Sequence, residues 1–395
     1  MRALCLCILL VSIHAQTSWP GFRGNGNSST AAKDLPTNWS QSKGIAWKHE
    51  ISGYGQSSPV VFNDKVFVTS SVGEMKETLC VYCFNLSTGE LLWKKTFASS
   101  HQHKRSKMVA QSAPTPVVDE KAIYAFFESG DLIALNFKGE ALWKRNLTKE
   151  YGEYKGNHGI GSSLGQTQKS IIVLVEHEGP SYLLSIDKSN GKNLWKNERS
   201  PRVSWASPLV LQDKIIISSN GVVEVYNAQD GKRLWFMDGI KKNTVPSPSC
   251  TDDVVVIGSS AKNWCMAIKR GKDPKVLWKA SVACSFSSPL IADDCVYFVN
   301  RAGVLYCVDL KNGEKLWSER LPGSMWASAV NAGKYIYFFC KDGATVVLQK
   351  DRSKFNKVAE NVVEVKGTSV YGVAATDGYF LIRSGREIIA IHTQS

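Results

Sequence analysis

The chain has 395 residues, of which 43% are hydrophobic and 21% are charged, and its formal net charge is +13 at pH 7. This composition excludes a largely disordered chain, because it supplies enough apolar surface for a core. No apolar stretch reaches the roughly 20 residues that a membrane-spanning helix needs, so no transmembrane segment is expected.

The first 15 residues read MRALCLCILLVSIHA, with one arginine, an apolar run and Ala15 as a cleavage residue. This order is typical of a signal peptide. We therefore expect export to the periplasm or the extracellular space, with cleavage near Ala15. Because export separates the chain from most nucleic acid, its basic charge favours a protein or an anionic glycan as partner, and not a nucleic acid.

Residues 16–44 are rich in Gly, Asn, Ser and Thr, and they contain Trp19, Phe22 and Trp39. Aromatic side chains of this size are usually covered in a folded protein. The segment is therefore predicted to be an extended arm that packs on the domain formed by residues 45–395.

A tryptophan preceded by an aliphatic residue recurs six times, at spacings of 39 to 52 residues. About thirty residues before it runs a second column, in which two small residues precede a proline or its substitute. That column occurs eight times, and a period of this length indicates stacked β-units. The six tryptophans are Trp93, Trp143, Trp195, Trp235, Trp278 and Trp317.

Each unit contains four short β-rich runs and no helical pattern. Acidic turns connect the first two runs, and glycine-bearing turns connect the last two, where glycine supplies the positive φ of a tight hairpin. The sequence thus predicts an all-β protein, an eight-bladed β-propeller of four-stranded antiparallel blades.

The last unit, from Gly367 to Ser395, ends after its third strand and lacks a tryptophan strand. The missing strand has a counterpart at the other end of the domain, because Ile45-Ala-Trp47-Lys48 resembles the other tryptophan strands. We expect this N-terminal strand to complete the last blade and close the ring, which removes exposed strand edges.

The repeat resembles the PQQ-type propeller repeats of the quinoprotein alcohol dehydrogenase-like superfamily, through phrases such as Gly303-Val-Leu-Tyr-Cys-Val-Asp309 followed by Gly313-Glu-Lys-Leu-Trp317. The arm adds Trp19-Pro-Gly-Phe-Arg-Gly24, similar to the opening of many exported members. The blade architecture also resembles the propeller lipoprotein of the outer-membrane barrel assembly machinery, which uses the repeat without a cofactor. This second resemblance favours a binding module that is not an enzyme.

The superfamily resemblance also implies an alternative, a PQQ-dependent alcohol or sugar dehydrogenase with PQQ and calcium in the central funnel. Trp205 or Trp326 would then stack on the cofactor, and Arg202 and Lys366 would bind its carboxylates. The sequence contains no adjacent cysteine pair and no convincing set of calcium ligands. We therefore expect no cofactor and no catalytic residue.

Four histidines fall in connections that emerge on one face of the ring: His101, His103, His158 and His177. Histidines that converge in this way bind Zn²⁺ or Cu²⁺, while chance clustering on solvated loops is the alternative. The same face carries the two longest connections, which follow Trp93 and Trp143.

The first of these connections contains Lys104, Arg105 and Lys107, a candidate contact for the partner. A flexible solvated loop is the alternative interpretation.

Eight cysteines follow the leader. Cys83 and Cys307 occupy a column of small residues, which favours a packing role, and whether any of the cysteines form disulfides stays open. The resulting hypothesis is an exported, monomeric, non-catalytic scaffold for a protein or glycan partner.

Overall fold

The computed structural model describes residues 18–102, 104, 110–365 and 368–392. Within these residues it contains 33 strands and one short helix, Leu147–Tyr151. The strands form eight sheets, seven with four strands and one with five. The predicted all-β propeller of eight four-stranded blades is therefore confirmed.

The blades are numbered here from the first complete one. In blades 1 to 8 the inner strands are Val60–Phe62, Val117–Val118, Gly165–Gln166, Leu209–Leu211, Ser249–Cys250, Leu290–Ala292, Val330–Ala332 and Val370–Thr376. The second strands are Lys65–Val72, Ala122–Phe126, Ser170–Val175, Lys214–Ser219, Val254–Ile257, Cys295–Val299, Tyr335–Phe339 and Tyr379–Ser384.

The third and outer strands complete each blade. The third strands are Thr78–Asn85, Asp131–Asn136, Ser181–Asp187, Val222–Asn227, Cys265–Lys269, Val304–Asp309, Ala344–Gln349 and Glu387–His392. The outer strands are Leu91–Ala98, Ala141–Asn146, Asn193–Arg199, Arg233–Met237, Lys275–Ala280, Lys315–Arg320, Lys357–Val362 and, for blade 8, Ile45–Glu50.

The ring closes as the sequence predicts. Ile45–Glu50 pairs antiparallel with Glu387–His392 and so becomes the outer strand of blade 8, with Trp47 opposite Ala390. The Trp47 indole nitrogen then donates a hydrogen bond of 2.7 Å to the carbonyl oxygen of Leu86 in blade 1. The first and last strands of the domain are therefore held in one sheet, and that sheet is bonded to the next.

The recurring tryptophans join neighbouring blades by two kinds of contact. The indole nitrogens of Trp47 and of five of the six repeat tryptophans donate to a carbonyl in the next blade, as Trp278 does to Leu310 at 2.8 Å. The Trp278 ring also covers the turn glycine of that blade, and a Cβ on Gly313 would lie 2.7 Å from the ring. Since Gly313 also has a φ of 77°, both packing and backbone conformation require glycine there. The glycine of one repeat and the tryptophan of the previous repeat are thus a structural pair.

A β-bulge occurs at the same place in all eight outer strands, at the residue before the tryptophan or its equivalent. In blade 2 the pairing register skips Leu142, which points outward and is 52% exposed. The tryptophan that follows lies opposite a small residue of the third strand, such as Ala134 for Trp143. Bulges of this kind interrupt an edge strand, so the outer edges are poor templates for pairing with another chain.

A belt of hydroxyl groups surrounds the central channel where the inner strands begin. The backbone N–H of one blade donates to the hydroxyl of the next blade, at distances of 2.8 to 3.2 Å. This belt explains why the small residue before the proline is usually serine. Its members in blades 1 to 7 are Ser58, Thr115, Ser163, Ser207, Ser247, Ser288 and Ser328.

The arm crosses the channel along the inner strands. Trp19 pairs with Val61 of blade 1, and Ser29–Thr30 adds a parallel strand to the inner edge of blade 7. Between them the buried Arg23 side chain donates to the carbonyl oxygens of Pro248 and Pro289 at 2.9 and 3.0 Å. The arm therefore connects inner strands from distant blades.

All eight cysteines among the described residues are buried and free. Cys80 and Cys83 belong to two different apolar clusters, because residues three apart on a strand point to opposite faces of the sheet. Cys83 and Cys307 each lie opposite an outer-strand tryptophan, in the position that alanine occupies elsewhere. They fill the space that remains beside the indole ring.

Candidate binding face

The two longest connections, residues 99–116 and 147–164, lead to the face where the inner strands begin, and the structure describes all of them except residues 103 and 105–109. They contact each other, since the backbone N–H of Ala110 donates to the carbonyl oxygen of His158 at 2.9 Å. The second connection starts with the short helix, capped by the Asn146 side chain, which accepts from the Lys149 N–H. We call the surface formed by these two connections the loop face.

A buried ion pair anchors the first connection. The Lys76 ammonium lies 3.0 Å from Glu128 Oε1, and it donates to the carbonyl oxygen of Ala110 at 2.8 Å. The Glu128 carboxylate also accepts from the backbone N–H of Ser112, with both oxygens at 3.0 Å. Both charged side chains are almost fully buried. Burying a charge is costly unless it is paired and hydrogen-bonded, and this pair satisfies both conditions.

His177 anchors the second connection. Its Nδ1 accepts from the backbone N–H groups of Lys155 and Gly179, each at 2.9 Å, and its ring packs against Tyr154. Burial lowers the pKa of His177, which keeps the ring neutral so that Nδ1 can accept. The buried Nε2 has no hydrogen-bond partner among the residues the structure describes. His177 therefore holds the loop that carries Lys155.

A cavity of about 270 Å³ lies between these anchors. Lys76 and Glu128 line one side of it, and Tyr154 and Lys155 line another, together with the exposed Lys104. Burial raises the pKa of Tyr154 well above its usual value, so the phenol stays neutral. The cavity joins blades 1, 2 and 3 at the loop face.

The structure locates the residues predicted at the channel mouth in separate surroundings. Trp205 donates through its indole nitrogen to the carbonyl oxygen of Gly159 at 3.0 Å, and its ring contacts His158. Trp326 is 41% exposed, and its ring packs against Phe286 at a tilt of 36°, with the ring centroids 4.2 Å apart. No ring contact joins the two tryptophans in the part of the chain that the structure covers. The guanidinium of Arg202 donates to the nearby carbonyl oxygen of Ser200.

Several predicted site residues lie outside the described residues: Lys366, His103, Arg105 and Lys107. Of the predicted metal ligands, His101, His158 and His177 are described. Residues 18–102, 104, 110–365 and 368–392 contain no group of three or more His, Cys, Asp or Glu arranged to hold a metal ion. The four-histidine metal site stays a prediction, because it includes His103.

Among the described residues at the channel mouth, the Trp205 indole nitrogen and the Arg202 Nε each donate to a backbone carbonyl oxygen. The carboxylates needed for calcium are not grouped within the described residues. No reaction step through this cofactor follows from the geometry.

Sequence reasoning missed the Lys76–Glu128 pair, because Lys76 lies in a turn between strands where a lysine is ordinarily solvated. Its φ of 57° is an indicator that only the structure provides.

No helix among the described residues is both long and apolar enough to cross a membrane.

The closed ring of four-stranded blades and its glycine-to-tryptophan packing define an eight-bladed propeller of the PQQ-repeat type. Within that class, the chain belongs to the family described as outer membrane protein assembly factor BamB, whose sequence profile matches residues 20–157 and 138–357. The matched residues include most of the arm, blades 1 to 6 and the first three strands of blade 7.

Curated relatives with that name are distant in sequence. The protein from Burkholderia pseudomallei is 24% identical over 268 residues, which are 66% of this chain and 65% of the relative. The protein from Yersinia pestis is 20% identical over 230 residues, 54% of this chain and 57% of the relative. The chain thus spans less than two thirds of the length of the curated relatives it matches.

Solved structures agree on the fold. BamB from Moraxella catarrhalis superposes with a TM-score of 0.65 at 15% identity, covering 89% of this chain and 98% of that one. A europium-containing methanol dehydrogenase gives a TM-score of 0.68 at 11% identity, covering 95% and 98%. Since an assembly factor and a dehydrogenase fit about equally well, likeness of fold alone does not separate binding from catalysis.

Proposed function

We propose that this chain is an exported, non-catalytic scaffold that binds a protein partner through the loop face. Family membership supports this proposal, because the curated relatives are named as assembly factors for outer membrane proteins. The net charge of +13 favours a partner with an acidic surface. The proposal extends to this chain a role that the names assign to its relatives.

The bracing of the two long connections carries the proposal. Long loops on a rigid scaffold commonly carry function, and a preordered loop loses less conformational entropy when it binds. Here the Ala110 N–H bonds to the His158 carbonyl oxygen, while Lys76 and His177 fix the two connections to their blades. These contacts fix the described parts of the loop face in one arrangement.

A pull-down with the purified chain tests the proposal. We expect the variant in which Lys104, Arg105 and Lys107 are all changed to Gln to lose a partner that the natural chain captures. The matched control changes three lysines near turns of the opposite face to Gln and should retain it; these are Lys121, Lys214 and Lys334.

A partner retained equally by both triple variants would contradict this contact surface. An immobilised anionic polysaccharide serves as a second bait in the same assay. Capture of the polysaccharide with no protein partner would replace the protein proposal with a glycan-binding one.

Export has its own test. The mature protein should be recovered from the periplasm or the medium with Gln16 as its first residue. Recovery of the uncleaved chain inside the cell would contradict the export proposal while leaving the binding face untouched.

The exposed ring of Trp326 favours one second candidate, the PQQ-dependent oxidoreductase. Incubation with PQQ and calcium should then give retained cofactor and dye reduction with alcohols or sugars, and Trp326→Ala or Trp205→Ala should abolish turnover. That result would displace the scaffold proposal.

A further inference from the structure

We propose that the cavity at the loop face is a receptor for the carboxylate of an acidic peptide side chain. The inference rests on the proposed function, because it specifies what part of the protein partner the loop face recognises. The donors at the cavity, the paired charge in its lining and its volume support the proposal.

Two ammonium groups at the cavity lack an acidic partner. Lys104 and Lys155 are both exposed, and neither forms an ion pair within the described residues. Gly156 and Asn157 line the same cavity, and their backbone N–H groups donate to no group that the structure describes. Lysine side chains and successive backbone N–H groups are the donors that proteins use for anions.

The negative charge in the cavity lining is already neutralised by an ion pair. Glu128, the acidic residue of the cavity lining, is paired with Lys76 and bonded to the Ser112 N–H. Its charge therefore does not cancel the two lysines at the rim. The neighbouring acidic residues Glu77 and Glu178 do not line the cavity.

The backbone conformation of Lys76 indicates that the surrounding structure fixes the geometry of this cavity. A non-glycine residue with a φ of 57° is strained, and such residues persist only where the surroundings fix them, often at functional sites. Here the ion pair with Glu128 and the bond to Ala110 hold the lysine in place. The strained residue supports the wall of a cavity instead of pointing to solvent.

The volume of about 270 Å³ selects the kind of ligand. Sites for whole small molecules typically measure about 300–1,000 Å³, so this cavity is at or below their lower limit. One acidic side chain fits the volume, and its methylene groups would contact Tyr154 and Ile160 in the lining. A side chain presented by a larger partner is therefore the occupant that we favour.

Fluorescence anisotropy with a labelled hexaglutamate peptide tests the inference. The natural chain should bind the peptide, and raising the salt concentration should weaken the binding. Lys155→Gln should weaken it about two- to fivefold, the range measured for exposed ion pairs. The double change of Lys104 and Lys155 to Gln should weaken it more, and Lys155→Glu more than Lys155→Gln.

The control is Lys121→Gln, which removes the same charge from a largely exposed position beside Glu120 on the opposite face. It should bind the peptide like the natural chain. Equal weakening by Lys121→Gln and Lys155→Gln would mean that the peptide senses only net charge, and it would overturn the receptor. Absence of binding to the natural chain would overturn it as well.

A labelled heparin oligosaccharide is the second probe. If it binds through Lys155 while hexaglutamate does not, the site recognises a sulfated glycan and the peptide proposal is wrong. If the triple loop variant nevertheless fails to capture the protein partner, the proposed function stands without this receptor. If hexaglutamate does not bind and the triple loop variant retains its protein partner, the proposed function is wrong as well.

Discussion

Arg199 of blade 3 and Tyr226 of blade 4 are joined by a buried hydrogen bond of 2.7 Å between guanidinium and phenol oxygen. The same guanidinium donates two bonds to Glu176 Oε1, at 2.9 and 2.8 Å, and lies beside Glu224. Burial by itself would lower the pKa of Arg199, but the two carboxylates outweigh burial and raise it. Blades 3 and 4 therefore share a charged network inside an otherwise apolar interface.

Removing Arg199 should be strongly destabilising. Arg199→Met leaves Glu176 buried without a counter-charge and Glu224 with Arg233 alone, and breaking a buried pair in this way costs about 3–5 kcal/mol. Denaturant unfolding of the purified protein measures the loss. Arg386→Met, at an exposed arginine, should leave the free energy of unfolding within about 0.5 kcal/mol of the natural value. Equal effects of the two changes would mean that the network does not stabilise the ring.

Arg23 should be needed to hold the arm in the channel. Its guanidinium reaches Pro248, Ser249 and Pro289, and burial lowers its pKa to about 10. Arg23→Ala removes the donor to the Pro248 carbonyl oxygen, while the Pro289 carbonyl oxygen keeps its bond from the Ser249 hydroxyl. A Pro248 oxygen that remains buried and unsatisfied costs about 1–3 kcal/mol. Limited proteolysis followed by mass spectrometry should then detect cleavage in the arm that the natural chain resists.

The control for the arm is Asn25→Ala, at an exposed position two residues along. Cleavage should stay as slow as in the natural chain. Rapid cleavage of the control, or resistance of Arg23→Ala, would show that Arg23 is not the anchor.

The sequence predicted the repeated part of the fold well, because each blade repeats the same packing problem. The tryptophan column, the turn glycines and the strand around Trp47 all recur at fixed positions, and their partners follow from the period. The bulge before each tryptophan and the serine belt are equally regular, but they depend on register and on contacts between blades. A single chain read in order does not show those contacts.

The candidate site was predicted less completely, because its main residues do not recur from blade to blade. The period located the long connections and their common face, and it placed His158 and His177 together there. Lys76 and Glu128 occur once each, in turns of different blades, so no repetition marks them. Their pairing depends on how the turns of two neighbouring blades approach each other, and neither the spacing nor the composition of the chain specifies that contact.

The interface tryptophans should be far more sensitive than the aliphatic residues beside them. Trp278 is buried against Gly313 and donates to Leu310, so Trp278→Ala should cost about 3–5 kcal/mol, as for other large core residues. Leu277 lies at the bulge and is 45% exposed, so Leu277→Lys should change stability by no more than about 0.5 kcal/mol. Thermal unfolding of both variants tests the contrast, and a large loss from Leu277→Lys would contradict the outward orientation.

Acid should loosen the loop held by His177. The folded-state pKa of His177 is lowered by burial, below the roughly 6.5 of an unfolded chain. The unfolded chain therefore takes up more protons as the pH falls through that value, so the stability contributed by the neutral ring is present above it and lost below it. Protonation at Nδ1 also removes the acceptor of the Lys155 and Gly179 N–H groups.

Hydrogen exchange at Lys155 and Gly179 measures this effect directly. After correction for the intrinsic pH dependence of exchange, protection of both amides should fall between pH about 7 and about 5, the range in which histidine titrates. His177→Gln is neutral at every pH and should remove that change while lowering protection at all pH values. Protection that falls equally in the His177→Gln variant would assign the acid sensitivity to another group and leave His177 as a packing residue.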